Sequence, residues 1–185
     1  SRAWWGKLAV YGLLYYTVTQ GVQFLGLALL PAITISFLLN FTTILVVIFS
    51  IFLLRETPNK KQVLLVGVAL LGAYLYFYPI DLPAAAMTGV LIVIVGVVAN
   101  ALSSILGRAI NRTRELPPLL VTVVSMTIGS AILAVSGLVV DGLPALSALG
   151  ILYILWLGVV NTAFAFTLWN RAMQRLRAVE TTIIN

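Results

Sequence analysis

Five uncharged runs, residues 8–54, 62–80, 82–107, 116–140 and 142–170, make up most of this chain. A helix that spans a bilayer needs about 20 apolar residues, and these runs reach or approach that length. The run 8–54 is too long for one crossing, since as a single helix it would extend about 70 Å, more than twice the hydrocarbon core. It must fold back. The break is expected at Gly26-Leu27-Ala28-Leu29-Leu30-Pro31, because proline is tolerated in the first turn of a helix and costly in its interior. The pattern therefore predicts spans at 7–29, 31–54, 61–79, 86–108, 117–139 and 146–170, the first two joined by a very tight apolar connection. Residues 178–185 resume an apolar pattern, as the start of a seventh span would. The expected fold class is all-α, a polytopic transmembrane helix bundle.

The punctuation between the runs agrees. Thr57-Pro58 reads as an N-cap and first helical residue for span three. That span ends in Tyr74-Leu75-Tyr76-Phe77-Tyr78-Pro79, an interfacial aromatic belt followed by a breaker. Asp81-Leu82-Pro83 forms the next turn. Arg108 and Arg112, one helical turn apart, are placed to reach the headgroups from the end of span four. Pro117-Pro118 opens span five and Asp141-Gly142-Leu143-Pro144 closes it. Span six is expected to continue as a basic amphipathic end through Arg177. Gly26, Pro31 and Gly129 are the expected bend positions.

Composition supports the same class. The chain is 62% hydrophobic and 9% charged, against roughly 25% charged residues in a soluble domain, and a soluble fold of this size could not hide so much apolar surface. All 11 Lys and Arg fall in four clusters: Arg2 and Lys7; Arg55, Lys60 and Lys61; Arg108, Arg112 and Arg114; Arg171, Arg175 and Arg177. With the six spans above, every cluster lands on one side of the bilayer. The positive-inside bias makes that side cytoplasmic, so residues 1–7, 55–61, 108–115 and 171–177 face the cytoplasm. The turns at Pro31, Asp81 and Asp141 face outward across a plasma or inner membrane. The net charge of +6 belongs to this bias; the partner it indicates is the lipid bilayer, and no nucleic acid is expected. There is no Cys, so no disulfide forms. Ser1-Arg2-Ala3-Trp4-Trp5 lacks an initiator Met and does not resemble a signal peptide, which with the apolar stop at Asn185 leads to the expectation of a fragment.

Polar side chains within the spans must find partners or face water. Tyr16, Gln20 and Gln23 fall at i, i+4 and i+7 in span one, with Thr19 beside them. Ser36, Asn40 and Thr43 make a stripe in span two; Asn100, Ser103 and Ser104 share a face of span four; Asn161, Thr162 and Trp169 do so in span six. Hydroxyls of Ser and Thr satisfy themselves on their own helix backbone, and small polar residues also serve helix contacts. Amides carry more hydrogen-bonding groups than a helix can hide. Tyr16, Gln20, Gln23, Asn40, Asn100, Asn161 and Trp169 are therefore the candidate lining of a shared midplane cavity. No Asp, Glu, Lys, Arg or His lies mid-span. Proton coupling usually needs a titratable group there and a phosphate needs a cation, so a small neutral or zwitterionic organic substrate is favoured and no cofactor is expected. An intramembrane hydrolase would require a base, metal ligands or paired carboxylates, which the spans lack, so no enzyme is expected. The alternative is a non-transporting assembly or sensor module whose polar residues serve only packing.

Leu53-Leu54-Arg55-Glu56-Thr57, then Gln62 and Gly67-Val68-Ala69-Leu70-Leu71-Gly72-Ala73, resembles the end of an EamA-type repeat of the drug/metabolite transporter superfamily. Trp169-Asn170-Arg171-Ala172-Met173-Gln174-Arg175-Leu176 is similar to the corresponding stretch of the second repeat. The resemblance implies a membrane transporter of ten helices in two inverted five-helix repeats. Residues 1–79 would then be the C-terminal part of the first repeat and 80–185 the N-terminal part of the second, covering helices three to eight and the start of nine. It also implies a substrate site between the halves and alternating access. Two positions depart from the family pattern: Arg55 stands where Gly is usual, and Asn40-Phe41-Thr42-Thr43 stands where a kinking Pro is common. Laying span one on span six at an offset of 146 pairs only Gly12 with Gly158, Leu30 with Leu176 and Ala32 with Ala178. Glu56 has two readings: a gate or cap on the cytoplasmic side, or a carboxylate near the next helix N-terminus, loosely paired with Lys60.

Overall fold

The computed structural model describes residues 2–79, 86–143 and 147–184. Among them, six long helical segments and one short one follow each other with brief connections, and no strand occurs. We label them α1 (2–29), α2 (Ala32–Leu54), α3 (Lys60–Phe77), α4 (Met87–Asn111), α5 (Pro118–Asp141), α6 (Ala148–Met173) and α7 (Ala178–Ile184). Four of them, α2, α4, α6 and the stretch Pro118–Val140 of α5, are long and apolar enough to cross a membrane. In α1 the glutamines and tyrosines dilute the apolar character, and in α3 the first turn is Lys60-Lys61-Gln62.

The connection between α1 and α2 is as tight as expected. Leu30 is extended and Pro31, at φ −56° and ψ 140°, precedes the first turn of α2. Pro118 occupies the first position of α5, whose last residue is Asp141 before Gly142 at φ +74°. The turn expected at Asp81-Leu82-Pro83, and Pro144, lie outside the described residues. Tyr74, Tyr76 and Tyr78 are exposed along the end of α3.

Three local expectations are corrected. Asn59, not Thr57, caps α3: its side chain accepts from the Gln62 amide at 2.8 Å while the Gln62 side chain accepts from the Asn59 amide at 2.9 Å. This reciprocal capping box satisfies two N-terminal donors at once, which Thr57 before Pro58 cannot do. The basic stretch after α6 does not stay helical. It turns after Met173 and α7 starts at Ala178, with the Glu180 carboxylate accepting from the Arg177 amide at 2.9 Å. Gly26 and Gly129 are contact points rather than bends: a Cβ at Gly26 would lie 2.9 Å from Val93 Cγ2, and one at Gly129 would overlap the Gly12 carbonyl oxygen.

The irregular stretches fall elsewhere. Residues Leu13–Thr19 of α1 and Leu157–Phe164 of α6 are π-helical. In each, a threonine hydroxyl donates across the widened turn to the carbonyl five residues back, Thr19 to Leu14 and Thr162 to Leu157, both at 2.9 Å. A third π segment, Ser50–Leu54, ends α2. In α2 the α-helical ladder is interrupted at Phe41 without any proline, its amide turning to the Leu38 carbonyl at 3.1 Å.

The centre of the bundle is α4, half of whose most apolar window is buried, whereas that of α6 is not buried at all. Small residues set its approach to α1: a Cβ at Gly96 would come within 2.6 Å of Val22, and one at Gly89 within 2.7 Å of Leu30. Apolar clusters close the bundle at two levels. Leu8, Tyr11, Ile110, Val121 and Met173 meet at one end, and Leu30, Ile35, Ala86, Val93 and Val97 at the other. Thr19, Gln20 and Gln23 of α1 and Asn100, Ser103 and Ser104 of α4 lie along the chain between these plugs. The outward faces stay apolar and exposed, as lipid-facing helices require.

Candidate functional site

Between the two apolar plugs lie two adjoining chambers. The larger, about 660 Å³, is lined from α1 by Tyr15, Tyr16, Thr19, Gln20, Gln23 and Phe24, and from α4 by Asn100. Met126, Ser130 and Leu133 of α5 and Leu157, Asn161, Thr162, Ala165, Phe166 and Trp169 of α6 complete it. The smaller, about 320 Å³, adds Ser36, Leu39, Asn40, Thr42 and Thr43 from α2 and Ser104 from α4. Tyr15, Gln23, Asn100 and Trp169 line both and border the place where the two adjoin. Each of the seven residues singled out as cavity lining is thus placed at one chamber or both: Tyr16, Gln20 and Asn161 at the larger, Asn40 at the smaller, Gln23, Asn100 and Trp169 at both.

The hydrogen bonds sort these groups by availability. Ser103 and Ser104 donate to the Asn100 carbonyl at 2.8 and 3.0 Å, and Asn40 Nδ2 donates to the Ser36 carbonyl at 2.8 Å. Such bonds back to the preceding turn consume donors. The side-chain amides of Gln20, Gln23, Asn100 and Asn161 make no hydrogen bond among the described residues, so their donors and acceptors face the chambers. The widened turns explain how both helices present polar groups here. A π segment displaces the register of the residues that follow, which brings Gln20 and Gln23 after one such turn, and sets Asn161 within the other.

The larger chamber has an aromatic wall that sequence reasoning read only in part. Tyr15 and Tyr16 lie 5.1 Å apart between ring centroids, and each meets Phe166 edge-on, at 5.3 and 5.1 Å. Tyr11 stacks on Tyr15 at 5.5 Å. The Tyr16 hydroxyl is buried and makes no hydrogen bond.

Beneath this wall is a buried polar knot. Asn111 Nδ2 donates to Asn170 Oδ1 at 2.8 Å, and Asn170 Nδ2 donates to Thr122 Oγ1 at 2.9 Å, so α4, α5 and α6 are tied together. Asn111 and Asn170 were not singled out beforehand. Both adjoin arginine clusters in the sequence, and only the fold shows them at 1% and 0% exposure.

One layer further lies the charged end. Glu56 does not pair with Lys60. Its Oε1 accepts from Arg108 Nε and Nη2, each at 3.0 Å, and its Oε2 accepts from the Ala178 amide at 3.5 Å. Arg108 also donates to the Met173 carbonyl at 2.7 Å, so it turns inward rather than to the headgroups. Arg112 donates to the Leu54 carbonyl at 3.2 Å and Arg177 to the Thr57 carbonyl at 3.1 Å. The basic clusters after α2, α4 and α6 therefore meet at one end. There the short helix α7, with its first-turn Glu180 accepting from Gln62 Nε2 at 2.7 Å, joins α3.

A solved crystal structure of another protein superposes on all of this chain, with a TM-score of 0.81 at 19% sequence identity. The chain spans 63% of that protein's length, and at this identity the likeness concerns the fold. No curated protein matches the chain. The model of the EamA-like transporter family matches residues 1–78 and 87–185, nearly the whole sequence. With its apolar helices and this match, the chain is a multi-pass membrane protein and belongs to the EamA-like transporter family, in the drug/metabolite transporter superfamily.

Proposed function

We propose that this protein moves a small neutral or zwitterionic organic metabolite across the membrane by alternating access, using the paired chambers as its substrate site. The observation that carries this reading is the meeting of unpaired amides from α1, α4 and α6 at one level, flanked by aromatic rings and without a charged side chain among the lining residues. Gln20, Gln23, Asn100 and Asn161 would bind the solute's polar groups, with Tyr16 and Trp169 against its apolar part and Asn40 in the smaller chamber. Uncharged sites of this kind recognise neutral solutes, because a full charge would lose its hydration without a counter-charge.

In the same reading all six long helices span the membrane, and the basic end faces the cytoplasm by the positive-inside bias. The break between the two family-matched segments supports a division near residue 79 into parts of two repeats. The related π turns of α1 and α6 support it as well. One half would rock against the other around a fixed site. The Asn111–Asn170 knot and the Glu56–Arg108 pair form two layers of contact that close the chambers on the basic side. Glu56 acts there as a cytoplasmic cap whose release accompanies opening.

The test is uptake of a metabolite panel into proteoliposomes, with and without a pH gradient. Saturable movement of a neutral or zwitterionic solute is expected, lowered about tenfold in kcat/KM by Asn100→Ala or Gln20→Ala, the loss of roughly one hydrogen bond. If the folded, oriented protein moves no solute, the polar residues serve assembly and the transporter reading fails.

A further inference from the structure

The two chambers differ in chemistry. The rings of Tyr16, Phe24 and Phe166 face the larger alone and those of Tyr15 and Trp169 border both, whereas the remaining lining of the smaller is mainly short hydroxyl and amide side chains. In the smaller chamber Thr42 is only 5% exposed and its hydroxyl has no hydrogen-bond partner. Buried hydroxyls ordinarily have one. This one is set apart by the interruption at Phe41, after which Thr42 begins the next helical stretch. Asn40 has given Nδ2 to the Ser36 carbonyl, which leaves its Oδ1 as an acceptor, and Ser104 has given its proton to Asn100, which leaves its lone pairs. The chamber therefore offers unused donors, the hydroxyls of Thr42, Ser36 and Thr43, beside unused acceptors, with the amides of Gln23 and Asn100 where it adjoins the larger one. A buried carboxylate would call for a cation and an ammonium for a carboxylate, and the lining residues include neither. An uncharged polyol, which both donates and accepts, fits this set.

Resting on the transporter reading above, we propose that the substrate is nucleoside-like. A planar ring lies against the aromatic wall of the larger chamber and an uncharged polyhydroxyl group occupies the smaller, where a ligand hydroxyl accepts from Thr42. Rings favour the flanking aromatics by offset or edge-on contact, with little dependence on the ring's own identity. Specificity then resides in the hydroxyl groups.

Uridine, 2′,3′-dideoxyuridine and phenylalanine are the probes, measured for binding and uptake with the protein in proteoliposomes. Uridine is expected to bind saturably and dideoxyuridine about tenfold more weakly, the equivalent of one hydrogen bond. Thr42→Val should weaken uridine by about the same factor and leave dideoxyuridine unchanged, without lowering the unfolding midpoint, because the hydroxyl removed has no protein partner. Uptake of phenylalanine or another solute with none of uridine would overturn the inference while leaving the transporter reading intact. Equal uridine affinity in Thr42→Val would also overturn it. Absence of movement for every solute in the panel would remove both.

Discussion

A residue's chemistry acts here through what it touches, and the glycines make the point. Gly12 and Gly129 sit where α1 crosses α5: a Cβ on Gly12 would overlap the Ser125 carbonyl oxygen, and one on Gly129 the Gly12 carbonyl oxygen. Nothing lies within 4 Å of a Cβ built at Gly67 or Gly137. Gly12→Val is therefore expected to destabilise the fold by about 3 kcal/mol, since backbone on the facing helix cannot yield as a side chain can. Gly137→Ala should be neutral or raise stability by about 0.5–1 kcal/mol through reduced backbone entropy. Reversible unfolding in mixed micelles would check both, and equal effects at the two positions would refute the contact argument. The same contrast governs the polar residues. Candidate serines and threonines such as Ser103, Ser104, Thr19 and Thr162 bond to their own helices, as local chemistry anticipates. Gln20, Gln23, Asn100 and Asn161 have amides too large to be satisfied this way, and for that reason they were legible in the sequence as cavity candidates.

Elements begin and end where backbone donors are satisfied. Asn59→Ala should cost about 1 kcal/mol by removing the capping box of α3, while Thr57→Ala should change stability little. A larger loss at Thr57 in the same unfolding measurement would restore it as the cap. Span limits were readable to within a few residues because hydropathy, proline and charge all mark the same boundaries. The internal irregularities were not. The π turns at Leu13–Thr19 and Leu157–Phe164 carry no residue signature beyond a threonine. The interruption at Phe41 arises without the proline that would have announced it. Such departures are settled by packing against neighbouring helices, information a single helix does not contain.

For the whole molecule, the proposed rocking motion would have to part the contacts at the basic end. Glu56 after α2 joins Arg108 of α4 and the amide that opens α7, and Arg108 holds the last carbonyl of α6. Glu56→Gln is expected to loosen this end and raise modification of a single cysteine placed at the buried position 101, where Ala101 packs with Leu54 and Ala178. The chain has no native Cys to interfere. Arg108→Gln should cost less when added to it than when made alone, because the pair's coupling, about 0.5–3 kcal/mol for contacting groups, is already lost and only the bond to the Met173 carbonyl remains to be removed. Fully additive effects would show that the two side chains act separately. Crosslinking α1 to α6 through paired cysteines should abolish transport, and unimpaired turnover would exclude the rocking motion.

The sequence by itself determined the membrane class, the helix limits, the placing of basic residues at one end and the short list of amides. These follow from hydrophobic run length, loop charge and side-chain hydrogen-bonding capacity, each a property of short stretches of chain. Only the tertiary structure decided that the amides of α1, α4 and α6 face one space, and that Tyr15, Gln23, Asn100 and Trp169 border both of its chambers. It alone placed Asn111 and Asn170 in a buried knot, and Glu56 on Arg108 rather than Lys60. Those choices depend on which helix faces which, and in an apolar bundle that is set by small-residue contacts across the interfaces, such as Gly96 on Val22 and Gly12 on Ser125.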